Sequence, residues 1–405
     1  MKTFQRIQNI LIVTLLLGTF FYTGYYFGKR NFTFEIRKDP PKVVIENQYP
    51  NKVNVDFSLF WDVWEMVDAR YLERPVDHQK MIYGAIDGML KALDDPYTSF
   101  LPPQLNKEIT DALNGTYQGI GAELSIKDSQ LIVVSPLDGS PAKSAGIRPG
   151  DKILAINQES TFGLSVQEAV LKIRGDAGTL VNLKIQSGES EPREVSVTRG
   201  IITISSVSWE DKKDGTAYIR ISRFGGDTES DWSKVVQEID KSMTQLDSII
   251  IDVRGNPGGY LQSAIYLAGE FYKDDIVIYS QNDVGEQEPL LTERTPLFSD
   301  VPGLFVLIDE GSASASEILA SALKNKKGAV LIGKKTFGKG TIQEAIDFED
   351  GSGVHLTVAK WLTSDKTWVH KQGIEPDVVV EITQEDIENQ FDSQLQKAIE
   401  LSKGY

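Results

Sequence analysis

Apolar residues recur along the chain with two periods, and the changes between them divide it. Ser248–Val253 and Gly303–Ile308 are near-continuous runs of Ile, Val, Leu and Phe, the pattern of strands buried on both faces. Each run is followed by a short loop of small residues. Each loop then leads into apolar positions at helical spacing, from about Tyr260 to Phe271 and from Ile318 to Leu323. The same spacing in Phe57, Phe60, Trp61, Trp64 and Val67, and again in Met81, Ile82, Ala85, Met89 and Leu93, predicts two amphipathic helices within 53–115. From 116 to 199 the pattern changes to short strands punctuated by glycine. A helix is expected near Ser165–Ile173, with strands at Lys152–Asn157, Thr179–Gln186 and Arg193–Thr198. Thr341–Phe348 reads as a strand, Gly353–Leu362 alternates, and 383–405 reads as a polar helical tail. The predicted class is α+β and multidomain: a helical region (53–115), a glycine-punctuated domain (116–199) and an α/β core (200–382).

The first residues form a separate case. Ile7–Gly28 carries no charge and ends in Phe20, Phe21, Tyr22, Tyr25, Tyr26 and Phe27. As a helix it could cross a hydrocarbon core of about 30 Å, with an aromatic belt at one interface. No small-residue cleavage site follows it, so an uncleaved anchor is favoured over a signal sequence. That reading makes 1–6 a cytoplasmic tip, 7–28 a single transmembrane span, and 29–52, with Pro40, Pro41 and Pro50, a linker. The remainder would face the extracytoplasmic side, or be secreted or periplasmic if the segment is cleaved. The net charge of −16 argues against a nucleic-acid partner. The chain has no cysteine, which excludes disulfides, thiol catalysis and thiolate metal sites. No His, Asp and Glu cluster has metal-ligand spacing, so neither a metal nor a cofactor is expected.

Candidate chemistry lies in the loops. Ser314 and Glu317 form the S-x-x-E pattern of a capping box, which places Ser314 at a helix start beside unpaired N–H groups. A hydroxyl there can attack a carbonyl if a base takes its proton. Candidate bases are His78, His355, His370 and Lys339, the last between Gly338 and Gly340. A lysine serves when burial disfavours its charged form. Gln343, four positions on, can aim it. A Ser–His–Asp triad is the rival arrangement. A phosphate loop is another, but Gly333 to Lys339 is followed by Gly340 where a magnesium-binding hydroxyl is needed. Asp94-Asp95-Pro96 reads as a capped turn, and Asp252 with Arg254 as a structural pair.

G-S-A-S-A-S-E at 311–317, followed by F-G-K-G-x-x-Q at 337–343, resembles the carboxyl-terminal processing proteases, or tail-specific proteases. The resemblance runs from about Phe57 to Pro376. It implies a crotonase/ClpP-like α/β protease core with an inserted PDZ domain. It further implies a Ser314 nucleophile, a Lys339 general base supported by Gln343, and an oxyanion hole from the N–H groups of Ala315 and Gly258, with Gly259 as competitor. S-P-A-x-x-A-G-I-x-x-G-D at 140–151 resembles a PDZ domain, in which Gly119-Ile120-Gly121 would hold a ligand's terminal carboxylate. The expected function is a serine endopeptidase that cleaves proteins recognised by apolar C-terminal tails. A non-catalytic PDZ scaffold at the membrane is the alternative. An activating or adaptor protein and a homodimer are the further partners the resemblance implies.

Overall fold

The computed structural model describes residues 14–25, 56–127, 129–137, 139–389 and 391–404, and the backbone of 32–38 and 41–47. The chain forms two compact units, Met1–His78 and Gln79–Tyr405.

The first unit contains a helix over residues 14–25, an antiparallel pair of strands, Phe32–Lys38 with Pro41–Asn47, and the helix Ser58–Arg70. Among the described residues no helix is long and apolar enough to cross a membrane. This corrects the expectation of a single-pass anchor over 7–28 and the membrane location built on it. Residues 1–13 and 26–28 lie outside the described residues. Within 29–52, the expected linker, two seven-residue strands pair. Proline at the start of the second strand is compatible with pairing, since that position need not donate to the ladder.

The second unit is organised by a six-stranded sheet in the order Val207–Asp211, Thr216–Ile221, Ser248–Asp252, Gly303–Ile308, Val330–Gly333, Val378–Val379. The first pair is antiparallel and the rest are parallel. Every residue of Ser248–Asp252 and Gly303–Ile308 is buried, as their near-continuous apolar runs suggest. Each of Ile249, Ile250 and Ile251 is wholly inaccessible, a burial that contributes about 1.5–3 kcal/mol per side chain. Helices Thr228–Ser242, Leu261–Ala268 and Ala315–Lys327 contribute Trp232, Leu267 and Leu319 to the core on one face.

The other face is covered by helix Ser393–Ser402. Its Ala398, Leu395 and Ile399 pack with Ile250, Phe305 and Leu307. The polar tail expected over 383–405 is therefore a layer of the core. Asp392 caps this helix by accepting from the Leu395 N–H, and its carboxylate also pairs with Arg254 at 2.7 Å. Arg254 in turn holds Asp252 at 2.7 Å, so the expected structural pair is part of a longer network.

A second sheet carries strand Thr341–Asp347 at one edge, antiparallel to Gly353–Thr363. Ser99–Leu101 adds to the far side of Gly353–Thr363. Helix Pro103–Leu113 braces this hairpin through Asn106, whose amide donates to Asp347 at 2.8 Å and to the Gly351 carbonyl at 3.2 Å.

The middle domain is a separate sheet in the order Arg193–Thr198, Leu180–Gln186, Lys152–Ile156, Gln130–Pro136, Ala122–Lys127. It encloses a core of its own that includes Val133, Ile153, Leu183 and Val197. Thr116–Gly119, expected inside this domain, instead pairs with Gly200–Thr203 as a two-stranded stalk where the chain enters and leaves it.

Candidate active site

Parallel neighbours in a sheet bring the loops at their carboxyl ends side by side. Ser248–Asp252 and Gly303–Ile308 are such neighbours, and the loops 254–259 and 309–314 that follow them are bonded together. Gly255 N–H donates to Asp309 Oδ1 at 2.7 Å, Ala313 N–H to the Asn256 carbonyl at 3.0 Å, and Ser316 Oγ to the same carbonyl at 2.9 Å. Asn256 is wholly buried, and its Nδ2 donates to the Ile221 carbonyl at 2.9 Å. Gly258 permits the approach: a Cβ on it would lie 2.9 Å from Ser314 Cβ and 2.8 Å from the Ala313 carbonyl oxygen.

Ser314 stands at the N-cap of helix Ala315–Lys327, as the S-x-x-E pattern predicts. Its backbone is unusual for a cap, with φ 54° and ψ −114°. Such a conformation costs a non-glycine residue on the order of 1–3 kcal/mol and persists only where surroundings enforce it. The enforcing group is Glu317. Its Oε2 accepts from the Ser314 N–H at 2.8 Å and from the Lys339 N–H at 2.9 Å. Its Oε1 accepts from Thr336 Oγ1 at 2.6 Å and from the Gly338 N–H at 2.7 Å. One wholly buried carboxylate thus ties the serine turn to the lysine loop. The sequence pattern disclosed only its capping partner, because the other three donors come from 336–339.

A cavity of about 570 Å³ opens at this junction, with Ser314, Lys339, Gln343, Gly258, Gly259 and His355 in its wall. Ile109, Ala112, Leu113, Ile318, Ile342 and Ala345 make much of the remainder apolar. Burial pushes the Lys339 ammonium below the ordinary lysine range, against the opposing pull of the Asp95 and Glu317 carboxylates. Burial, then the neighbouring Lys339, push His355 down as well.

Gln343 Nε2 donates to Thr341 Oγ1 at 2.8 Å and Thr357 Oγ1 at 3.1 Å. That orientation leaves its amide oxygen as the acceptor. Among the described residues no hydrogen bond joins Lys339 Nζ to Gln343 or to Ser314 Oγ in this conformation. The Gly258 N–H, expected as an oxyanion donor, is donated to Asn256 Oδ1 at 2.9 Å. Ala315 is the first helical residue, where an N–H has no intrahelical acceptor. Asp95 is the turn-capping residue its sequence suggests, accepting from the Tyr97 N–H at 3.0 Å and the Thr98 hydroxyl at 2.7 Å.

Gly119, Ile120 and Gly121 lie at the end of a second cavity, of about 340 Å³. Its walls include Leu124 from strand Ala122–Lys127, and Val170 and Ile173 from helix Val166–Ile173. Gly121 has φ 70°, and a Cβ there would meet Ser140 Cβ at 2.6 Å and Ile202 Cδ1 at 2.8 Å. Strand Ala122–Lys127 ends its sheet, so one edge is available for an added strand. Arg174 lies over the Tyr117 ring at 5.0 Å at the rim.

The chain matches peptidase family S41 over residues 215–380, a PDZ domain over 132–187, and the activating protease CtpB N-terminal domain over 17–104. It is 40% identical over 322 residues to the carboxy-terminal processing protease CtpB of Bacillus subtilis (strain 168), covering 78% of this chain and 66% of that protein. It is 36% identical over 405 residues to the carboxyl-terminal-processing protease of Synechocystis sp., covering 97% of this chain and 93% of that protein. Among solved structures, a putative S41 protease from Bacteroides fragilis shares the fold at a TM-score of 0.58 and 14% identity, covering 88% of this chain and 99% of that one. With a serine turn and a lysine loop bonded to one buried carboxylate and a PDZ domain beside them, the chain belongs to peptidase family S41, among the serine-type carboxyl-terminal processing proteases.

Proposed function

We propose that the enzyme cleaves protein chains held by an apolar C-terminal tail, using Ser314 and Lys339 as a dyad supported by Gln343. Ser314 Oγ attacks the carbonyl carbon of the scissile peptide while neutral Lys339 Nζ takes its proton. The carbonyl oxygen becomes an oxyanion and collapses to an ester on Ser314. Lys339 then gives the proton to the departing amine, and water, deprotonated by Lys339, hydrolyses the ester. Ala315 N–H is one oxyanion donor. The second comes from 258–259: the Gly258 N–H if Asn256 releases it, and otherwise the Gly259 N–H. The observation that carries this reading is the convergence of Ser314, Lys339 and Gln343 on one mostly apolar cavity in which the lysine is desolvated.

The working form of Lys339 is uncharged. Because its pKa lies below the ordinary lysine value, that form is populated above the lowered pKa and lost as pH falls through it. A fluorophosphonate should therefore label Ser314 at a rate that declines on acidification, with mass mapping placing the adduct on that residue. Labelling elsewhere, or a rate flat from alkaline to well below neutral pH, would remove the dyad.

In the middle domain, the cavity beside Gly119–Gly121 receives the tail's last side chain and carboxylate, and the free edge of Ala122–Lys127 pairs with its backbone. Val170→Glu places a charge in this apolar wall. It should weaken binding of a peptide ending in a free apolar residue by at least about tenfold. Fluorescence anisotropy with free and amidated peptides checks it, and equal affinity for both by the unaltered protein would exclude carboxylate capture.

A further inference from the structure

The turn at 94–98 comes up beside Lys339, and the dyad chemistry makes no use of it. Its capped turn is locked to the catalytic hairpin. Thr98 Oγ1 accepts from the Thr357 N–H at 3.1 Å, and Thr357 Oγ1 accepts from Gln343 Nε2 at 3.1 Å. Ser99–Leu101 then pairs with Gly353–His355. The side chain this anchored turn projects is Tyr97. Lys339 Nζ lies 5.1 Å from the centroid of its ring. His370 meets the same ring edge-on at 6.1 Å and stacks on Trp368 at 5.0 Å.

We propose that Tyr97 is a positioning residue for Lys339, its ring walling the amine from water and then facing the ammonium formed when Ser314 gives up its proton. This rests on the assignment of Lys339 as the base. The ring's two effects have opposite signs. Excluding water favours the neutral amine, and desolvation can move a buried lysine by up to ~3–5 pH units. A π face favours the ammonium by about half a pH unit at a partly solvated site. At Lys339 burial outweighs the pull of the Asp95 and Glu317 carboxylates, so the ring is assigned the shielding role. The charged and titratable groups around the amine are Asp95 from the same turn, Glu317 from the serine helix and His355 from the facing strand. Arg223 stands in the cavity wall and His370 lies behind the ring. None of these can replace a hydrophobic lid.

The test is kcat/KM against pH for the full chain with a peptide substrate, comparing the unaltered enzyme with Tyr97→Ala, Tyr97→Phe and Lys339→Ala. Tyr97→Ala should move the acid limb up by about one pH unit, lose about tenfold in activity at neutral pH, and regain the unaltered rate above the limb. Tyr97→Phe, which keeps the ring, should leave the limb in place. A limb that stays or moves down in Tyr97→Ala overturns the proposal. So does a loss of equal size at every pH, which is what misfolding or a purely structural role would give. Activity retained by Lys339→Ala would instead remove the dyad, so the two failures are distinguishable.

Discussion

Ser314→Ala and Lys339→Ala should each reduce kcat/KM by about 10³–10⁶, and the double variant should be no worse than either alone. The serine hydroxyl is a weak nucleophile without a base, and the lysine has no covalent chemistry of its own, so each is idle without the other. The residual rate would come from the oxyanion donors and from substrate binding, which both variants keep. Thermal stability should change little in Ser314→Ala, because its Glu317 bond uses the backbone N–H and survives the substitution. Peptide hydrolysis measured alongside thermal melting separates loss of chemistry from loss of fold. Lys339→Ala with a tenth or more of the unaltered rate, beside an inactive Ser314→Ala, would assign the base elsewhere. His355, in the same cavity wall, would then be the group to replace.

What the chain's pattern disclosed, and what it hid, follows from the range of the interactions involved. Ser248–Asp252 and Gly303–Ile308 were legible because burial on both faces favours apolar residues on both sides of the strand, as in Ile249–Ile251 and Leu304–Ile308. Ser314 was legible because a helix start has local capping chemistry. The motif 337–343 was legible by its resemblance, and its Lys339, Thr341, Ile342 and Gln343 line the cavity with Ser314. The C-terminal stretch read as a polar helical tail, and its place in the core was hidden because the apolar stripe is short and the face it covers belongs to distant strands. The commitment of the Gly258 N–H to Asn256 Oδ1 is set by a side-chain torsion, which no periodicity records. Tyr97 was unreadable for the same reason: its turn is local, but Lys339 comes to it from another part of the chain. The apolar run in 7–28 satisfied a length rule, whereas among the described residues no helix is long and apolar enough to cross a membrane.

Glu317→Ala should both unfold the enzyme more easily and inactivate it. The substitution strands four donors that now share one carboxylate: the N–H groups of Ser314, Gly338 and Lys339 and the hydroxyl of Thr336. An unpaired buried donor costs about 1–3 kcal/mol, and water entering the vacated space recovers part of that. A net loss of about 3–5 kcal/mol lowers Tm by roughly 10 °C or more for a domain of this kind. With the clamp gone, Ser314 loses the N–H partner that helps hold it at φ 54°, and the serine turn and lysine loop lose their shared anchor. A fall of at least about 10³ in kcat/KM is expected, since misplacing a reacting group by about 1 Å already costs roughly 100-fold. Glu317→Gln distinguishes geometry from charge. It keeps the shape but turns an NH₂ toward two of the four donors. It also removes a negative charge that favours the Lys339 ammonium. Its remaining activity should therefore show an acid limb shifted to lower pH, opposite to the shift expected for Tyr97→Ala. A Gln variant with unaltered Tm and rate would mean that the carboxylate is an ordinary helix cap, and that Ser314 and Lys339 are brought together by the surrounding core alone.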